Sequence, residues 1–247
     1  MMRIRTGLVA SVLTVLSVSA LSACSDSDAS ADGPGTTSKS PSAASEKKAP
    51  DPAADLNRAA LTKSDVSGYR VSKPEQKYAF AKTRGEIKAD KAACAPLAYA
   101  MNQFAPGSPQ AELTRVASPG GKSVGAFTYV TLATYPDGAA KTTMAELTEA
   151  VGTCAGGFTA KAAKSSTLYD SVSSDGAPAQ PGADQSTAFR ATTKFNGTSH
   201  TVRTQVVRHG DTLAVYFAVD GMALAQGRSG DAKVAKAVVK AQSAKLS

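Results

Sequence analysis

The spacing of hydrophobic positions changes along this chain, and each change marks a structural element. Between residues 187 and 219, apolar and polar residues alternate in three runs separated by Asn196-Gly197 and Gly210-Asp211. Alternation with a period of two predicts strands with one buried face, and Asn-Gly favours the paired positive φ angles of a type I′ hairpin turn. A two-residue turn there sets Phe195 opposite Thr198, Ala191 opposite Val202, Phe189 opposite Thr204 and Thr187 opposite Val206. A second turn at Gly210-Asp211 sets Val206 opposite Val215, Thr204 opposite Phe217 and Val202 opposite Val219. These pairs share one apolar face, since a one-residue slip would move them all to the other side. The same register forces Arg190 opposite Arg203 and Gln205 opposite Tyr216 on the second face, with Lys194 near the first turn.

Like charges opposed across a ladder cost up to about 1 kcal/mol, so the arginine pair is either splayed into solvent or offset by an anion. The plain reading of this face is the wet side of an antiparallel sheet. The functional reading is a candidate site for an anionic ligand, built from Arg190, Lys194, Arg203 and Gln205 with Tyr216 as a flat wall.

Elsewhere the period lengthens to that of a helix. Residues 89–104 place Leu97, Met101 and Phe104 toward a core, with Cys94 on the same element and Pro96 marking a first turn or a break. Asp137-Gly138 opens a helix that carries Met144, Leu147 and Val151 on one face, reaches Cys154 and stops at Gly156-Gly157. A last helix is expected over 231–246, with Val234, Val238 and Ala241 inward and its lysines outward and at the end, where they suit the helix dipole. Residues 55–61 predict a short helix and 62–68 a turn, while 69–71, 113–116 and 123–135 read as extended chain. Residues 158–169 read as one weaker strand, and 171–184, rich in Ser, Gly, Pro and Ala, as a mobile loop. Helices segregated from a run of antiparallel strands predict an α+β fold, a two-layer sandwich with helices on one face of the sheet.

The start of the chain has a different character. Residues 1–5 are a basic n-region and 6–20 a short apolar h-region, too short to span a membrane comfortably. Leu21-Ser22-Ala23-Cys24 follows directly, and in this place it resembles the lipobox of bacterial lipoprotein signals. The resemblance implies that residues 1–23 are a signal peptide and that Cys24 carries a thioether-linked diacylglycerol on the outer face of the cytoplasmic membrane. Two acyl chains are enough for stable attachment. Residues 24–54 have almost no large apolar side chains, so they cannot offset the entropy of ordering and are expected to form a flexible tether. Residues 55–247 are expected to form one domain.

With Cys24 acylated, Cys94 and Cys154 are the two remaining cysteines, and an exported, even pair predicts a disulfide. The formal net charge of +8 suits a partner such as an anionic envelope polymer, lipid or small molecule. Nucleic acid is not expected, because the basic residues are scattered along the chain and no nucleic-acid-binding signature occurs.

Catalytic patterns fare poorly. Ser45 and Lys48 have S-x-x-K spacing but lie in the tether. Gly121-Lys122-Ser123 imitates the tail of a phosphate loop, yet Val116 stands where the first Gly is required and a strand follows. His200 and His209 are the only histidines; nine residues along one strand put them about 30 Å apart, so they cannot share a metal. No G-x-S-x-G, H-E-x-x-H or calcium loop occurs, and Asn196-Gly197-Thr198 is explained by its turn. No cofactor is expected.

The helix with Cys94, the stretch 151–154, and Arg208-His209-Gly210-Asp211 leading into 213–217 together resemble the extracytoplasmic sensor domains of PknH-type actinobacterial serine/threonine kinases and related envelope lipoproteins. That family has four bridging cysteines where this domain has two. The resemblance implies a non-catalytic ligand-binding or sensing module on the membrane. The alternatives are a structural lipoprotein that binds another envelope protein and, less favoured, a hydrolase with an unpatterned site.

Overall fold

The computed structural model describes residues 51–75, 80–120 and 125–247. The expected leader, Cys24, the tether up to residue 50 and Gly121-Lys122-Ser123 lie outside them. Helix α1 (Pro52–Ala59) begins a little earlier than expected, because the Asp51 side chain accepts the N–H groups of Ala53 and Ala54 as a cap. The other helices are α2 (Ala95–Ala100), α3 (Ala139–Thr153), α4 (Gly221–Ala225) and α5 (Lys236–Leu246). The strands are β1 (Tyr69–Ser72), β2 (Lys88–Ala89), β3 (Ala111–Pro119), β4 (Ala126–Thr134), β5 (Phe158–Ala162), β6 (Ser165–Ser174), β7 (Gln185–Phe195), β8 (Thr198–His209), β9 (Thr212–Asp220) and β10 (Gly230–Asp231).

Among the described residues these strands form one ten-stranded sheet in the order β1-β3-β4-β9-β8-β7-β6-β5-β2, antiparallel except where β10 joins β8. The predicted centre is present in the predicted register. Phe195 faces Thr198, Phe189 faces Thr204 and Arg190 faces Arg203 across β7 and β8. Val206 faces Val215 and Gln205 faces Tyr216 across β8 and β9. Asn196 and Gly197 both have positive φ, at 49° and 79°, as the hairpin turn requires.

The first face of the sheet packs on α2 and α3. Phe189, Val206, Leu213 and Val215 meet Leu97, Met101, Met144 and Leu147 in one core. The expected disulfide is there: Cys94 and Cys154 are bonded, with their Cα atoms 5.9 Å apart, tying the turn before α2 to the end of α3. Gly157 follows with φ +83°, and a Cβ there would run into the carbonyls of Tyr169 and Asp170. Only glycine allows this close approach of backbones.

The fold class is α+β as read from the sequence, but the expectation of helices on one face only is corrected. A second core lies on the opposite side, where Leu56 of α1 and Val238 and Val239 of α5 cover Val130, Leu132, Val207, Ala214 and Tyr216. The structure therefore has three layers over half of its width. The last helix starts at Lys236 rather than 231, and Gln242 is buried on its inner face with Val238 and Val239. Gln242 accepts the Leu61 N–H at 3.1 Å and donates to the Ala59 carbonyl at 2.8 Å, satisfying backbone groups that α1 leaves open at its end.

The expected strand over 158–169 and the expected loop over 171–184 are also corrected. Residues 158–169 form not one strand but a hairpin, and β6 runs on to Ser174 through part of the expected mobile loop. The turn residues Ala163 and Lys164 carry none of the usual Gly, Asn or Asp turn chemistry. The rest of that loop is strapped to the sheet, since Gly182 O meets His209 Nδ1 at 3.1 Å and Asp184 pairs with Arg208 at 3.1 Å. Residues 48–247 make one compact unit, and both cores and the disulfide are internal to it.

Candidate functional site: an open basic half-sheet

Alternation in β5 to β8 sends one set of side chains into the α2–α3 core and the other set to the opposite side. Phe158, Ala160, Tyr169, Ala191 and Val202 go inward. Thr159, Lys161, Leu168, Thr192, Lys194 and Thr201 therefore point the other way. On that side α1 and α5 reach only as far as β8, and no residue of β5, β6 or β7 joins their core. Among the described residues this half of the sheet is left open on that side.

The arginine pair of the sequence reading sits at the margin of this area. Asp175, at the end of β6, lies 3.6 Å from Arg190 Nη1 and 3.3 Å from Arg203 Nε, and Asp231 of β10 lies 3.0 Å from Arg203 Nη1. The anion expected between the two arginines is thus one of the chain's own carboxylates. Arg203 is left 12% exposed while Arg190 remains 50% exposed and also donates to Ser173 at 3.0 Å.

The other proposed members divide. Tyr216 is completely buried under α5, among Val238 and Val239, so the expectation that it forms an open wall is corrected. Burial pushes its phenol pKa up, against a smaller lowering by the Ser243 hydroxyl. Gln205 is buried as well and donates to Ser186 at 3.2 Å beneath the 176–184 strap. Periodicity placed both residues on the correct face. It could not show that the next helix and strap cover that part of the face.

Lys194 is exposed, and the fold brings it company the sequence reading missed. Lys88 on β2 stands opposite Lys161 on β5, Lys164 occupies the β5–β6 turn, and all three are exposed. None of Lys88, Lys161, Lys164 and Lys194 has an ion-pair partner among the described residues. Cations scattered along the chain are gathered on one surface, so scattering alone does not argue against a polyanionic partner. Lys161 was legible through its alternation with Phe158, Ala160 and Ala162, but reading one strand instead of a hairpin hid its place beside Lys194.

His200 and His209 are both buried and point to opposite faces of the sheet. Among the described residues no three His, Cys, Asp or Glu side chains converge on a metal position. An open groove of about 600 Å³ between α3 and the start of β7 is lined by Met144, Ala145, Thr148, Glu149, Gln185, Ser186 and Thr187. Within it Glu149 is the one ionisable group, without a second to work against.

The chain is similar in structure to the extracellular domain of PknH from Mycobacterium tuberculosis, with 12% identity, 79% of this chain and 95% of that chain covered, and a TM-score of 0.48. It is also similar to an uncharacterised protein of Mycobacterium smegmatis, with 12% identity, 78% and 94% covered, and a TM-score of 0.35. At this identity no residue of the site carries over. No family model and no curated protein matches the chain.

Proposed function

We propose that this chain is a lipid-anchored, extracytoplasmic, non-catalytic binding domain that holds an anionic component of the cell envelope against the open half of its sheet. The observation that carries the reading is the group Lys88, Lys161 and Lys194 beside Arg190, the three lysines without an ion-pair partner and their face without a covering helix among the described residues. Attachment through Cys24 would keep the domain at the envelope, and the Cys94–Cys154 bond suits an oxidising compartment. Carboxylates that are strongly engaged, such as Asp65 with Lys245 and Glu112 with Arg84, serve to hold loops in place. This supports holding over turnover.

Open basic faces of this kind recognise charge density, and salt weakens them. The test is titration of residues 48–247 with inorganic polyphosphate and with polygalacturonate, using uncharged dextran as control, at low and high salt. Saturable binding of both polyanions, screened by salt and reduced at least tenfold in a Lys161→Glu, Lys194→Glu double variant, is expected. Equal behaviour of the variant and the parent would remove this face from consideration. Mass spectrometry of the membrane-extracted protein tests the acyl group on Cys24.

A further inference from the structure

Leu168 and Phe195, 57% and 50% exposed, are the exposed large hydrophobic residues of the described chain, and the fold brings them to one end of the sheet. Tyr169 pairs with Thr193 across β6 and β7, so Leu168 stands level with Lys194 on the open face, while Phe195, one residue further toward the turn, projects from the other face of the sheet at the same end. Lys161 pairs with Ser166 and with Lys88, which puts both lysines at the same level, and Lys164 is in the adjoining turn. Glu86 and Asp90, each two residues from Lys88, are both engaged with backbone: Glu86 accepts the Lys82 N–H at 2.9 Å and Asp90 the Thr159 N–H at 2.9 Å.

A soluble polyanion has use for the lysines but none for Leu168 and Phe195. An anionic lipid surface has use for both: ammonium groups approach the phosphates, and apolar side chains reach the boundary between headgroups and acyl chains. Resting on the binding reading above, we infer that the anionic partner is the membrane surface itself, met end-on by the β5–β6 and β7–β8 hairpins through Leu168, Phe195, Lys88, Lys161, Lys164 and Lys194.

The placement of α1 is compatible with this. It packs on the same side of the sheet as the open basic half, so the chain joins the body on the side that carries the lysines. Docking would then fix the orientation of the body, with the β5–β6 and β7–β8 turns at the surface.

The test is co-sedimentation of residues 48–247, without any acyl group, with vesicles of phosphatidylcholine containing about one-third phosphatidylglycerol and with vesicles of phosphatidylcholine alone. Binding to the anionic vesicles at low salt, loss at high salt and no binding to the neutral ones are expected. Each lysine near such a surface contributes on the order of fivefold in affinity, so Lys161→Glu, Lys164→Glu should abolish sedimentation. Leu168→Ser, Phe195→Ser should weaken vesicle binding at least tenfold while leaving polyphosphate binding and the melting temperature unchanged; both side chains are exposed, so the fold is not at stake. Binding of polyphosphate without binding of anionic vesicles would overturn the membrane assignment and leave the polyanion reading standing, as would vesicle binding indifferent to Leu168 and Phe195. Failure to bind either probe would overturn both.

Discussion

Arg190 and Arg203 stand directly opposite one another on neighbouring strands, and they are held there by Asp175, which lies within 3.6 Å of one and 3.3 Å of the other. A repulsive pair has become a three-member chain of alternating charge, extended to Asp231 by a further contact at 3.0 Å. Asp175→Asn should therefore destabilise the protein, by about 1–3 kcal/mol, since Arg203 is mostly enclosed and would lose a charged partner. The same substitution should strengthen polyphosphate binding, because Arg190 is released toward solvent. Urea denaturation and a polyphosphate titration on one variant check the two effects, and they are expected to move in opposite directions.

Tyr216 gives a sharper contrast between a site and a core. Its ring is enclosed and its hydroxyl is buried without a hydrogen bond of good geometry, although Ser243 faces it. Tyr216→Phe should be neutral or stabilising, by up to about 1 kcal/mol, because an unsatisfied polar group is removed. Tyr216→Ala should cost about 3–5 kcal/mol from lost burial and the cavity left behind. Neither change should alter binding of a polyanion when measured well below the melting temperature.

These two residues show what the sequence could carry and where it stopped. Arg190, Arg203, Gln205 and Tyr216 were placed on their face and in their pairs by alternation and one Asn-Gly turn, because strand register is a local property. Whether that face is wet is not local. It depends on α5, which starts five residues later than periodicity suggested and lies across β8 and β9, and on Asp175 and Asp231, which meet Arg203 only after the chain has folded. Lys161 failed for a different reason: its hairpin turns on Ala163-Lys164, a pair without the usual turn residues. The disulfide was legible because the expected acylation of Cys24 left two cysteines and a single pairing.

His209 makes stability depend on pH. Burial lowers its pKa from the ordinary value near 6.5, with the Gly182 carbonyl and the Asp184 charge opposing more weakly. The folded state thus binds this proton less readily than the unfolded chain. The associated stability is present above about pH 6.5 and is lost as pH falls from there toward the lower folded-state pKa. Thermal melting between pH 7.5 and 5 should show a decline that His209→Gln flattens, and the decline should be seen first in the 176–184 strap, which His209 holds at Gly182.

The bridge between Cys94 and Cys154, 60 residues apart, should stabilise by about 4 kcal/mol through its restriction of the unfolded chain. Reduction or a Cys94→Ala, Cys154→Ala double change should lower the urea midpoint accordingly. A smaller loss would indicate that the reduced unfolded chain keeps α2 and α3 in proximity.

The sheet is covered on two sides at β4, β9 and β8 but on one side only from β7 to β2. Unequal cover implies unequal lifetimes of the closed state. Amide protons on β4 and β9 should exchange only through global unfolding, while those on β2 and β5, at the thin margin, should exchange through local fraying at a lower free energy. The part of the molecule best placed to meet a partner is also the part that can reshape itself most cheaply on doing so.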